Sequence, residues 1–317
     1  MLSVQSPPAL PRRLLFAGEA IVDVTMRVPA FPAPGADVLA DSSRITAGGG
    51  FNVMAAAARQ GLPVLYAGAH GTGPWGDLVR KAMAAEGIEV LRDPDPLRDT
   101  GFAIALGKPD DTRTYVTQLG AESVREPGSM GQVPAGPGDA VYISGYGLIP
   151  PESGPVVAEW AADLPPGALL FLDPGPLVPQ IPAALLDQVL PRCDWLSCTA
   201  AEATLLTGIA DPVDAAAELL GRTRNAIIRS GSSGCFLAVP PAPPVVHVPA
   251  PAVPAVDTTG AGDAHAGAFL AALAAGLSPE AAARRANAAA ALAVTRPGPA
   301  TAPTRAELDA WLTSVHR

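Results

Sequence analysis

The sequence is poor in cysteine and lysine, and each shortage excludes a class of protein. The three cysteines, Cys193, Cys198 and Cys235, are odd in number and lack CxxC spacing. This argues against a disulfide framework or a zinc knuckle and favours a reducing compartment. The chain holds just two lysines, Lys81 and Lys108, and neither stands at the lysine position of a Walker-type loop. Nucleotide-binding proteins of that type are therefore excluded.

Long apolar runs and positive charge are also scarce. No stretch reaches the roughly 18 uninterrupted apolar residues that a membrane-spanning helix needs. Glu19 and Asp23 interrupt the apolar run that starts at Leu14, so we expect no secretory signal. The 21 Lys and Arg residues face 30 Asp and Glu residues, a net charge of −9, which argues against nucleic acid or a membrane surface as the main partner. We expect a cytoplasmic protein that binds a small molecule.

The remaining composition indicates a folded chain. Hydrophobic residues make up 49% of the 317 residues, and the 32 glycines and 36 prolines are spread between apolar segments. This pattern is unlike that of a disordered protein. The length exceeds the usual domain size of roughly 100–150 residues but still fits one large α/β domain with an appendage.

Short apolar segments alternate with helical segments after residue 139. The apolar segments AVYIS, ALLFLD, DWLSC and NAIIRS are separated by helical patterns near 152–163, 200–207 and 213–221. This alternation predicts βαβ crossovers and a parallel sheet with helices on both faces. Residues 14–22 predict a first buried strand that ends at Asp23 and follows a flexible tail of residues 1–13. The domain is thus expected to span residues 14–317.

Two regions do not fit this alternation. Residues 24–47 are Pro-rich with short alternating segments, which is typical of strands in an exposed sheet. Residues 99–119 contain two alternating segments joined by the turn Lys108-Pro109-Asp110-Asp111, which predicts a hairpin. We assign about 24–47 and 99–119 to a small β lid, and we expect Arg113 of the hairpin to be a solvated strand charge.

A glycine-rich segment late in the chain carries the clearest chemical signal. Residues 257–263 have the sequence Asp-Thr-Thr-Gly-Ala-Gly-Asp and precede an apolar helix. Thr258 or Thr259 can cap this helix, and the glycines leave N–H groups uncovered at its positive end. An anion such as a transferring phosphoryl group binds favourably at such a position.

Asp263 is an acidic residue beside this predicted anion site. It either stabilises the first turn of the helix electrostatically or accepts the proton of a substrate hydroxyl that attacks the γ-phosphoryl group of ATP. Because an alcohol is a far weaker acid than a carboxyl of pKa about 4, the proton must move late, as the O–P bond forms. The clustering of aspartates, threonines and glycines in this segment favours the chemical role.

The segment 257–263, together with Gly48-Gly49-Gly50-Phe51-Asn52, resembles the two signature regions of the ribokinase-like (PfkB) family of carbohydrate and nucleoside kinases. The similarity runs from about residue 14 to about residue 312. It implies a three-layer α/β/α fold with a mostly parallel sheet and a small β-sheet lid. It also implies ATP-dependent phosphorylation of a hydroxymethyl group on a carbohydrate or, as an alternative, a nucleoside.

The resemblance implies roles for individual residues in catalysis and acceptor binding. Asp263 matches the catalytic base, and Gly260, Ala261 and Gly262 match the anion hole. The residues implied to hold the sugar are Asp23, Gly48, Gly49, Gly50 and Asn52. These residue types suit the task, because a carboxylate accepts from neighbouring hydroxyls, glycine permits close approach, and an amide both donates and accepts.

Further residues are implied to hold the nucleotide and metal ions. The implied ATP-binding residues are Thr199, Arg229, Ser230, Gly231, Ser233, Gly234 and Asn287. Glu202 is implied to hold Mg²⁺ through water. Some family members need K⁺, and Asp257 and Thr259 match that arrangement, with backbone carbonyls of residues 293–298 as further ligands. A homodimer paired through the lid is expected from the resemblance and from the exposed strand edges.

The sequence departs from the family pattern at three positions. Thr199 stands where the family usually has asparagine, which affects the expected magnesium geometry. His265 follows the implied base closely, at a position where an apolar residue is common, and we expect it to be packed. Ala47 replaces the first glycine of the commoner sugar-binding pattern, a change that can alter the shape of the acceptor site.

Two rival functions come from other classes of protein. Residues 71–76, Gly-Thr-Gly-Pro-Trp-Gly, follow a strand and satisfy a dinucleotide-binding pattern, with Asp93 about 20 residues further on. Pro74 lacks an N–H where phosphates need donors, and the segment belongs to the third structural unit, so NAD binding is disfavoured. A sugar-binding protein without catalysis is the other rival, and the presence of Asp263 and Glu202 argues against it.

Overall fold

The chain folds around two β-sheets. The structure, a computed structural model, describes residues 10–109, 112–125, 128–241 and 245–315. Its strands are β1 (Arg13–Phe16), β2 (Ala20–Arg27), β3 (Ser42–Gly49), β4 (Val64–Tyr66), β5 (Glu89–Val90), β6 (Phe102–Gly107), β7 (Arg113–Gln118), β8 (Asp139–Ser144), β9 (Leu169–Asp173), β10 (Trp195–Thr199), β11 (Ala226–Arg229), β12 (Cys235–Ala238) and β13 (Val246–Val248). Its α-helices are α1 (Phe51–Arg59), α2 (Pro74–Ala85), α3 (Gly154–Ala162), α4 (Ala183–Val189), α5 (Ala200–Thr207), α6 (Pro212–Leu219), α7 (Ala261–Ala274), α8 (Pro279–Val294) and α9 (Arg305–Val315).

The larger sheet is mostly parallel, as the sequence predicts. Within the described residues its strand order is β13-β12-β11-β10-β9-β8-β1-β4-β5. The strands from β11 to β5 pair in parallel, whereas β12 and β13 are antiparallel and close one edge. Central strands such as Leu169–Asp173 are buried along nearly their whole length, which is expected when helices cover both faces of a parallel sheet.

Helices cover both faces of the larger sheet and form two hydrophobic clusters. One cluster joins the sheet to α1, α7 and α8, and the other joins it to helices that include α3 and α6. Small residues bring α7 close to α1: a Cβ on Gly267 would lie 2.6 Å from the backbone oxygen of Val53. The alanine-rich face of α8 packs against α7, so it contributes to the core. These layers confirm the predicted α/β/α architecture.

The smaller sheet is separate and has the strand order β3-β2-β6-β7. Strands β2 and β3 are antiparallel, β2 and β6 are parallel, and β6 and β7 form the hairpin expected from the sequence. One face contacts α2, where the Trp75 and Phe102 ring centroids lie 5.9 Å apart. The opposite face is directed toward the carboxyl ends of the larger sheet's strands.

The single strand predicted for residues 14–22 is wrong. Strand β1 ends at Phe16 in the larger sheet, and β2 begins at Ala20 in the smaller one. The continuous apolar sequence hides this change of sheet because Ala20 and Val22 are buried as completely as β1 is. Asp23 therefore lies within a strand of the smaller sheet and not at the end of a core strand.

Parts of two predicted features lie outside the described residues. They are Asp110 and Asp111 of the hairpin turn and residues 1–9 of the predicted tail. Within the described residues, Arg13 at the start of β1 forms an ion pair with Asp139 at the start of β8, with 2.6 Å between Nε and Oδ1. None of the described helices has the length and apolar character that spanning a membrane requires.

Candidate active site

A cavity of about 370 Å³ lies between the smaller sheet and the carboxyl ends of the central parallel strands. The ends of four strands of the larger sheet reach it, through Phe16, Ser144, Asp173 and Arg229. Ligands bind at this edge in open α/β sheets. We call this space the central cavity.

The central cavity brings together many of the residues implied by the sequence. Those lining it are Asp23, Gly49, Gly50, Asn52, Glu202, Arg229, Gly260, Ala261, Gly262 and Asp263. Segments more than 200 residues apart in the chain thus meet at one place. Among the described residues implied as site residues, Gly48, Thr199, Ser230, Gly231, Ser233, Gly234, Asp257, Thr259 and Asn287 do not line this cavity.

Helix α7 begins at the cavity with its N–H groups available. Gly260 precedes the helix with φ +75°, a left-handed conformation that favours glycine. A Cβ at Gly260 would lie 2.0 Å from the backbone oxygen of Pro299, so the position has no room for a side chain. Within the described residues, no acceptor is hydrogen-bonded to the N–H groups of Gly262 and Asp263, and these donors can bind an anion.

Asp263 lies in the first turn of α7 and contacts Asn52 of α1. The Asn52 side-chain amide donates to Asp263 Oδ2 at 3.1 Å. Burial raises the pKa of Asp263 to about 6, and the Asn52 hydrogen bond opposes part of that shift. A carboxylate with this pKa is ionised at neutral pH and is a better proton acceptor than an exposed aspartate.

Asp23 lies on β2 and lines the same cavity. Burial, with a smaller contribution from the negative charge of Asp263, raises the pKa of Asp23 to about 7. Gly48 on the neighbouring strand β3 makes this arrangement possible, because a Cβ there would lie 1.9 Å from Asp23 Oδ2. Gly50 is equally restricted, since its Cβ would lie 2.0 Å from the Phe16 ring. Gly48 thus leaves space for the Asp23 carboxylate, and Gly50 leaves space for the Phe16 ring.

Arg229 holds two acidic residues together at the far side of the cavity. Its Nη1 lies 2.9 Å from Asp173 Oδ2, and its Nη2 lies 3.7 Å from Glu202 Oε2. The same guanidinium donates to the backbone oxygen of Gly262 at 3.3 Å. Arg229 therefore connects the two carboxylates to the start of α7 and brings a positive charge to the cavity.

Asp173 and Glu202 are the residues that suit a magnesium ion. Both are carboxylates that line the cavity, and Mg²⁺ commonly uses one or two carboxylates, water and substrate phosphates. Burial and the nearby charge of Asp173 raise the pKa of Glu202. Such a carboxyl gains from a bound cation. Within the described residues no group of three potential ligands forms a complete metal cage, so only a water- and phosphate-completed site fits.

The other residues implied for ATP binding have different positions. Thr199 caps α5, accepting from the Glu202 N–H at 3.2 Å, while Glu202 Oε2 accepts from the Thr199 N–H at 2.7 Å. Residues 231–233 form an exposed turn that follows Arg229. Asn287 is buried and donates to the backbone oxygen of Val248 at 2.8 Å. Thr199, which stands where the family usually has asparagine, thus positions Glu202 by capping α5.

Asp257 and Thr259 line a neighbouring cavity of about 250 Å³. Arg113 of β7 reaches Asp257, with 2.7 Å between Nη2 and Oδ1. The pKa of Asp257 is lowered to about 2 by hydrogen bonds from the Thr259 N–H and the Arg113 guanidinium, which outweigh its burial. Arg113 is 21% exposed, so it is not the solvated strand charge that its sequence context indicates.

His265 has the packed environment that the sequence analysis favours. It is buried, and its ring lies nearly parallel to that of Phe269, with 6.3 Å between centroids. Burial lowers the pKa of His265 to about 3. It is therefore neutral at physiological pH and adds no charge beside Asp263.

The sequence analysis misses Glu19, Tyr115 and Tyr146, which also line the central cavity. Glu19 Oε2 accepts from the Ser144 hydroxyl at 2.6 Å, and its other oxygen lies 3.3 Å from Arg125. Glu19 follows the end of β1, and its place at the carboxyl edge of the sheet is the signal that could have identified it. The two tyrosines lie in segments with no local motif.

The rival dinucleotide segment has no room for a phosphate. Asp99 Oδ2 accepts from the Trp75 N–H at 3.1 Å, and Asp99 Oδ1 accepts from the Gly76 N–H at 2.8 Å. These are first-turn N–H groups of α2, so a carboxylate from the chain itself occupies the anion position. The glycines at 71–76 serve this local packing.

The chain is similar to known proteins over most of its length. Residues 11–306 match the pfkB family carbohydrate kinases. The uncharacterized sugar kinase YegV of Escherichia coli is 32% identical over 304 residues, which cover 93% of this chain and 92% of that protein.

Two solved structures share the fold at lower identity. Arabidopsis thaliana ribokinase complexed with ribose and ATP has a TM-score of 0.76 and 23% identity, covering 95% of this chain and 99% of that one. A Burkholderia thailandensis nucleoside kinase in complex with inosine has a TM-score of 0.80 and 23% identity, covering 95% and 96%. Because the family match spans nearly the whole chain, the protein belongs to the pfkB family of carbohydrate kinases.

Proposed function

We propose that the protein transfers the γ-phosphoryl group of ATP to a hydroxymethyl group of a sugar, with Asp263 as the general base. The observation that carries this proposal is the position of Asp263 in the first turn of α7, beside the available N–H groups and inside the central cavity. A base and an anion site are thereby adjacent. Family membership supplies the reaction class.

Asp23 and Asn52 bind the acceptor in this proposal. Asp23 lines the cavity opposite α7, and burial raises its pKa to about 7, so its charged form gains from added hydrogen-bond donors. Sugar hydroxyls supply such donors. Asn52 holds Asp263 in place through its amide, which orients the base toward the acceptor hydroxyl.

Proton transfer then follows bond formation. Asp263 first accepts a hydrogen bond from the hydroxyl and takes its proton as the oxygen bonds to phosphorus. Its pKa of about 6 remains far below that of an alcohol, so early deprotonation is unfavourable. The proton becomes acidic only when the O–P bond has begun to form.

The start of α7 and Arg229 stabilise the migrating phosphoryl group. The N–H groups of Gly262 and Asp263 point from the positive end of a helix of 14 residues, which favours negative charge. Preorganised donors of this kind act strongly where water is excluded. Ala261 continues the same turn, and Arg229 contributes a fixed charge next to Gly262.

Mg²⁺ would be held by Glu202 through water, with Asp173 as the second carboxylate. The ion would neutralise charge on the ATP phosphates. Thr199 orients Glu202 through the helix cap, and we assign the exposed turn after Arg229, which lies outside the lining of the central cavity, to the nucleotide. The smaller sheet covers the acceptor and limits competition from water, as the lid implied by the sequence would.

The nature of the acceptor is an open choice between sugar and nucleoside. The Arabidopsis neighbour was solved with ribose and ATP and the Burkholderia neighbour with inosine, and both ligands carry a hydroxymethyl group. The polar lining by Asp23 and Asn52 favours a hydroxyl-rich ring. A screen of ADP release over sugars, sugar acids and nucleosides identifies the acceptor class.

The variant Asp263→Asn tests the assigned base. We expect turnover to fall by at least about 1000-fold, because one catalytic group and one charge are lost, while ATP protection against heat is retained. The matched control is Asp214→Asn, which changes the aspartate at the third position of α6. Loss of turnover in both variants, or in neither, would contradict the proposal, and the absence of ADP release with every acceptor in the screen would favour the non-catalytic binding alternative.

We expect the proposed homodimer to form through the face of the smaller sheet that is directed away from the central cavity, which we call the outer face. Ile45 and Val116 on that face are 50% and 66% exposed, and pairing with a second copy would cover them. We expect a dimer mass by light scattering at micromolar concentration. A monomer mass at every concentration would remove this part of the proposal.

A further inference from the structure

Asp257 is already bound to cationic and N–H donors from this chain. Its Oδ1 accepts from the Thr259 N–H at 3.0 Å and from Arg113 Nη2 at 2.7 Å, and its Oδ2 accepts from the Gly298 N–H at 3.0 Å. The family resemblance implies a monovalent cation at this carboxylate. Here a guanidinium group occupies that position.

Several of the backbone carbonyls of residues 293–298 also accept hydrogen bonds. The Val294 oxygen accepts from the Val256 and Asp257 N–H groups, at 2.7 and 3.1 Å. The Ala293 oxygen accepts from the Thr301 hydroxyl at 3.0 Å. A second guanidinium, that of Arg44, donates to the Pro297 oxygen at 2.9 Å. A potassium ion needs several such oxygens at once, and this donor set does not fit it.

Gly298 makes the approach of Arg44 possible. It has φ +110°, and a Cβ there would lie 2.6 Å from Arg44 Nη1. Glycine therefore satisfies both the backbone conformation and the contact with the guanidinium. Arg44 and Arg113 line one cavity together with Asp257. Arg113 binds the Asp257 carboxylate, and Arg44 binds the Pro297 carbonyl oxygen.

A guanidinium can replace the electrostatic effect of a potassium ion. Both carry one positive charge, and arginine remains protonated at all physiological pH values. An incoming K⁺ would have to displace Arg113 from Asp257 while being repelled by Arg44. The planar guanidinium also fixes the direction of its partners, which a spherical ion does not.

We propose that Arg113 and Arg44 take the place of a monovalent cation beside the anion hole, so that phosphoryl transfer in this protein requires no potassium. The part of this inference that concerns the rate rests on the proposed kinase function. The part that concerns which group occupies the position beside Asp257 does not. Arg113 acts as a positioning residue: it fixes Asp257, which in turn binds the Thr259 N–H in the segment leading to Gly260.

The same contacts couple the smaller sheet to the anion hole. Arg44 lies on β3 and Arg113 on β7, whereas their partners lie in the segments that precede α7 and follow α8. Any movement of the sheet away from the central cavity would carry both guanidinium groups with it and would break their contacts with Asp257 and Pro297.

Thallium(I) diffraction tests the structural part without any substrate. Tl⁺ has the charge and nearly the size of K⁺ and is located by its anomalous scattering. In crystals of the wild-type protein soaked in Tl⁺, we expect no anomalous peak at Asp257, and in crystals of Arg113→Ala we expect one. A peak at Asp257 in the wild type would overturn the inference and leave the proposed kinase function intact.

Kinetics in different salts test the functional part. With an acceptor from the screen, we expect wild-type kcat to be equal within about twofold in sodium, potassium and choline chloride. Arg113→Ala should lose about 10- to 100-fold in kcat, the effect of one charged hydrogen bond, and regain activity in potassium but not in choline. Arg113→Lys should keep more activity than Arg113→Ala in choline.

Arg27→Ala is the matched control for these measurements. Arg27 lines the same cavity from β2, but among the described residues it is not a partner of Asp257 or of the Pro297 oxygen. We expect its kcat to stay at the wild-type value in all three salts. Wild-type activity that depends on potassium, or an Arg113→Ala variant indifferent to it, contradicts the inference.

Discussion

Helices α2 and α7 both begin in glycine-rich segments, yet only one of them offers a binding site. At α2, Asp99 accepts hydrogen bonds from the Trp75 and Gly76 N–H groups. At α7, within the described residues, the N–H groups of Gly262 and Asp263 have no acceptor from the chain. The two helix starts differ because the Asp99 carboxylate binds the N–H groups of α2, and not because of the number of glycines.

The comparison separates two uses of aspartate at a helix start. Asp99 comes from a neighbouring loop and points its oxygens at the N–H groups, which stabilises the fold. Asp263 belongs to the first turn itself, and its carboxylate contacts Asn52 in the central cavity. One acidic residue replaces an anionic ligand, whereas the other leaves room for one.

Gly260→Ala is expected to lower both kcat and stability by changing the backbone at the start of α7. The new Cβ would meet the Pro299 oxygen at 2.0 Å, which forces the start of α7 to move and misaligns its N–H groups. We expect a loss of about 100-fold in kcat and about 3 kcal/mol in the free energy of unfolding, from contact and backbone strain together. Steady-state kinetics and urea unfolding measure the two losses.

Gly208→Ala is the control for backbone strain alone. Gly208 has the same φ, +75°, after α5, but a Cβ added there would have no atom within 4 Å. We expect a cost of about 1 kcal/mol and unchanged kcat. Equal kinetic losses in both variants would show that the Pro299 contact does not matter.

Asp99→Ala should affect stability and leave the chemistry alone. It removes the acceptor of two first-turn N–H groups of α2, and we expect the free energy of unfolding to fall by about 2 kcal/mol. Asp99→Asn keeps an acceptor oxygen and should lose less. Because α2 lies outside the central cavity, kcat of the folded variant should equal that of the wild type. A large fall in kcat would mean that α2 contributes to the active site.

The pH dependence of the rate tests whether Asp263, at the start of α7, acts as the base. The pKa of Asp263 is raised to about 6 by burial, and the base acts only when ionised. Because Asp23, with a pKa of about 7, also binds the acceptor in its charged form, we expect kcat/KM to begin to fall near pH 7 and to fall by more than about tenfold per pH unit below pH 6. The free energy of unfolding, measured in parallel, confirms that the protein stays folded. A rate that is constant from pH 5 to pH 8 is incompatible with Asp263 as the base.

The sequence predicts the fold well because its signals are local and repeated. Alternating apolar strands and helices after residue 139 require a parallel sheet, and the segment 257–263 places a helix start at its edge. The change of sheet at residues 17–19 is missed, since buried residues precede and follow it. Strands β12 and β13 are missed as well, because antiparallel edge strands lack the alternating helices.

The site is only partly predictable because pairing across long distances leaves no local pattern. The contact of Asn52 with Asp263 spans 211 positions, and that of Arg113 with Asp257 spans 144. A family motif identifies the first pair. Arg113 lies in an ordinary strand, and a strand arginine exposed to solvent has the same local sequence. Whether such an arginine is exposed to solvent or paired with a distant carboxylate depends on tertiary packing alone.

Substituting the two aspartates by asparagine should change stability in opposite directions. Asp99→Asn weakens a cap, whereas Asp263→Asn removes a buried charge that faces Asp23. The pKa of Asp263 rises from 3.8 to about 6 on folding, so its favourable contribution is complete below about pH 4 and is lost as the pH passes 6. At pH 8 we expect Asp263→Asn to unfold with about 1 kcal/mol more free energy than the wild type, and with no gain at pH 4. Urea unfolding at both pH values measures this difference. A loss of stability at pH 8 would mean that Asp263, like Asp99, is mainly a structural cap.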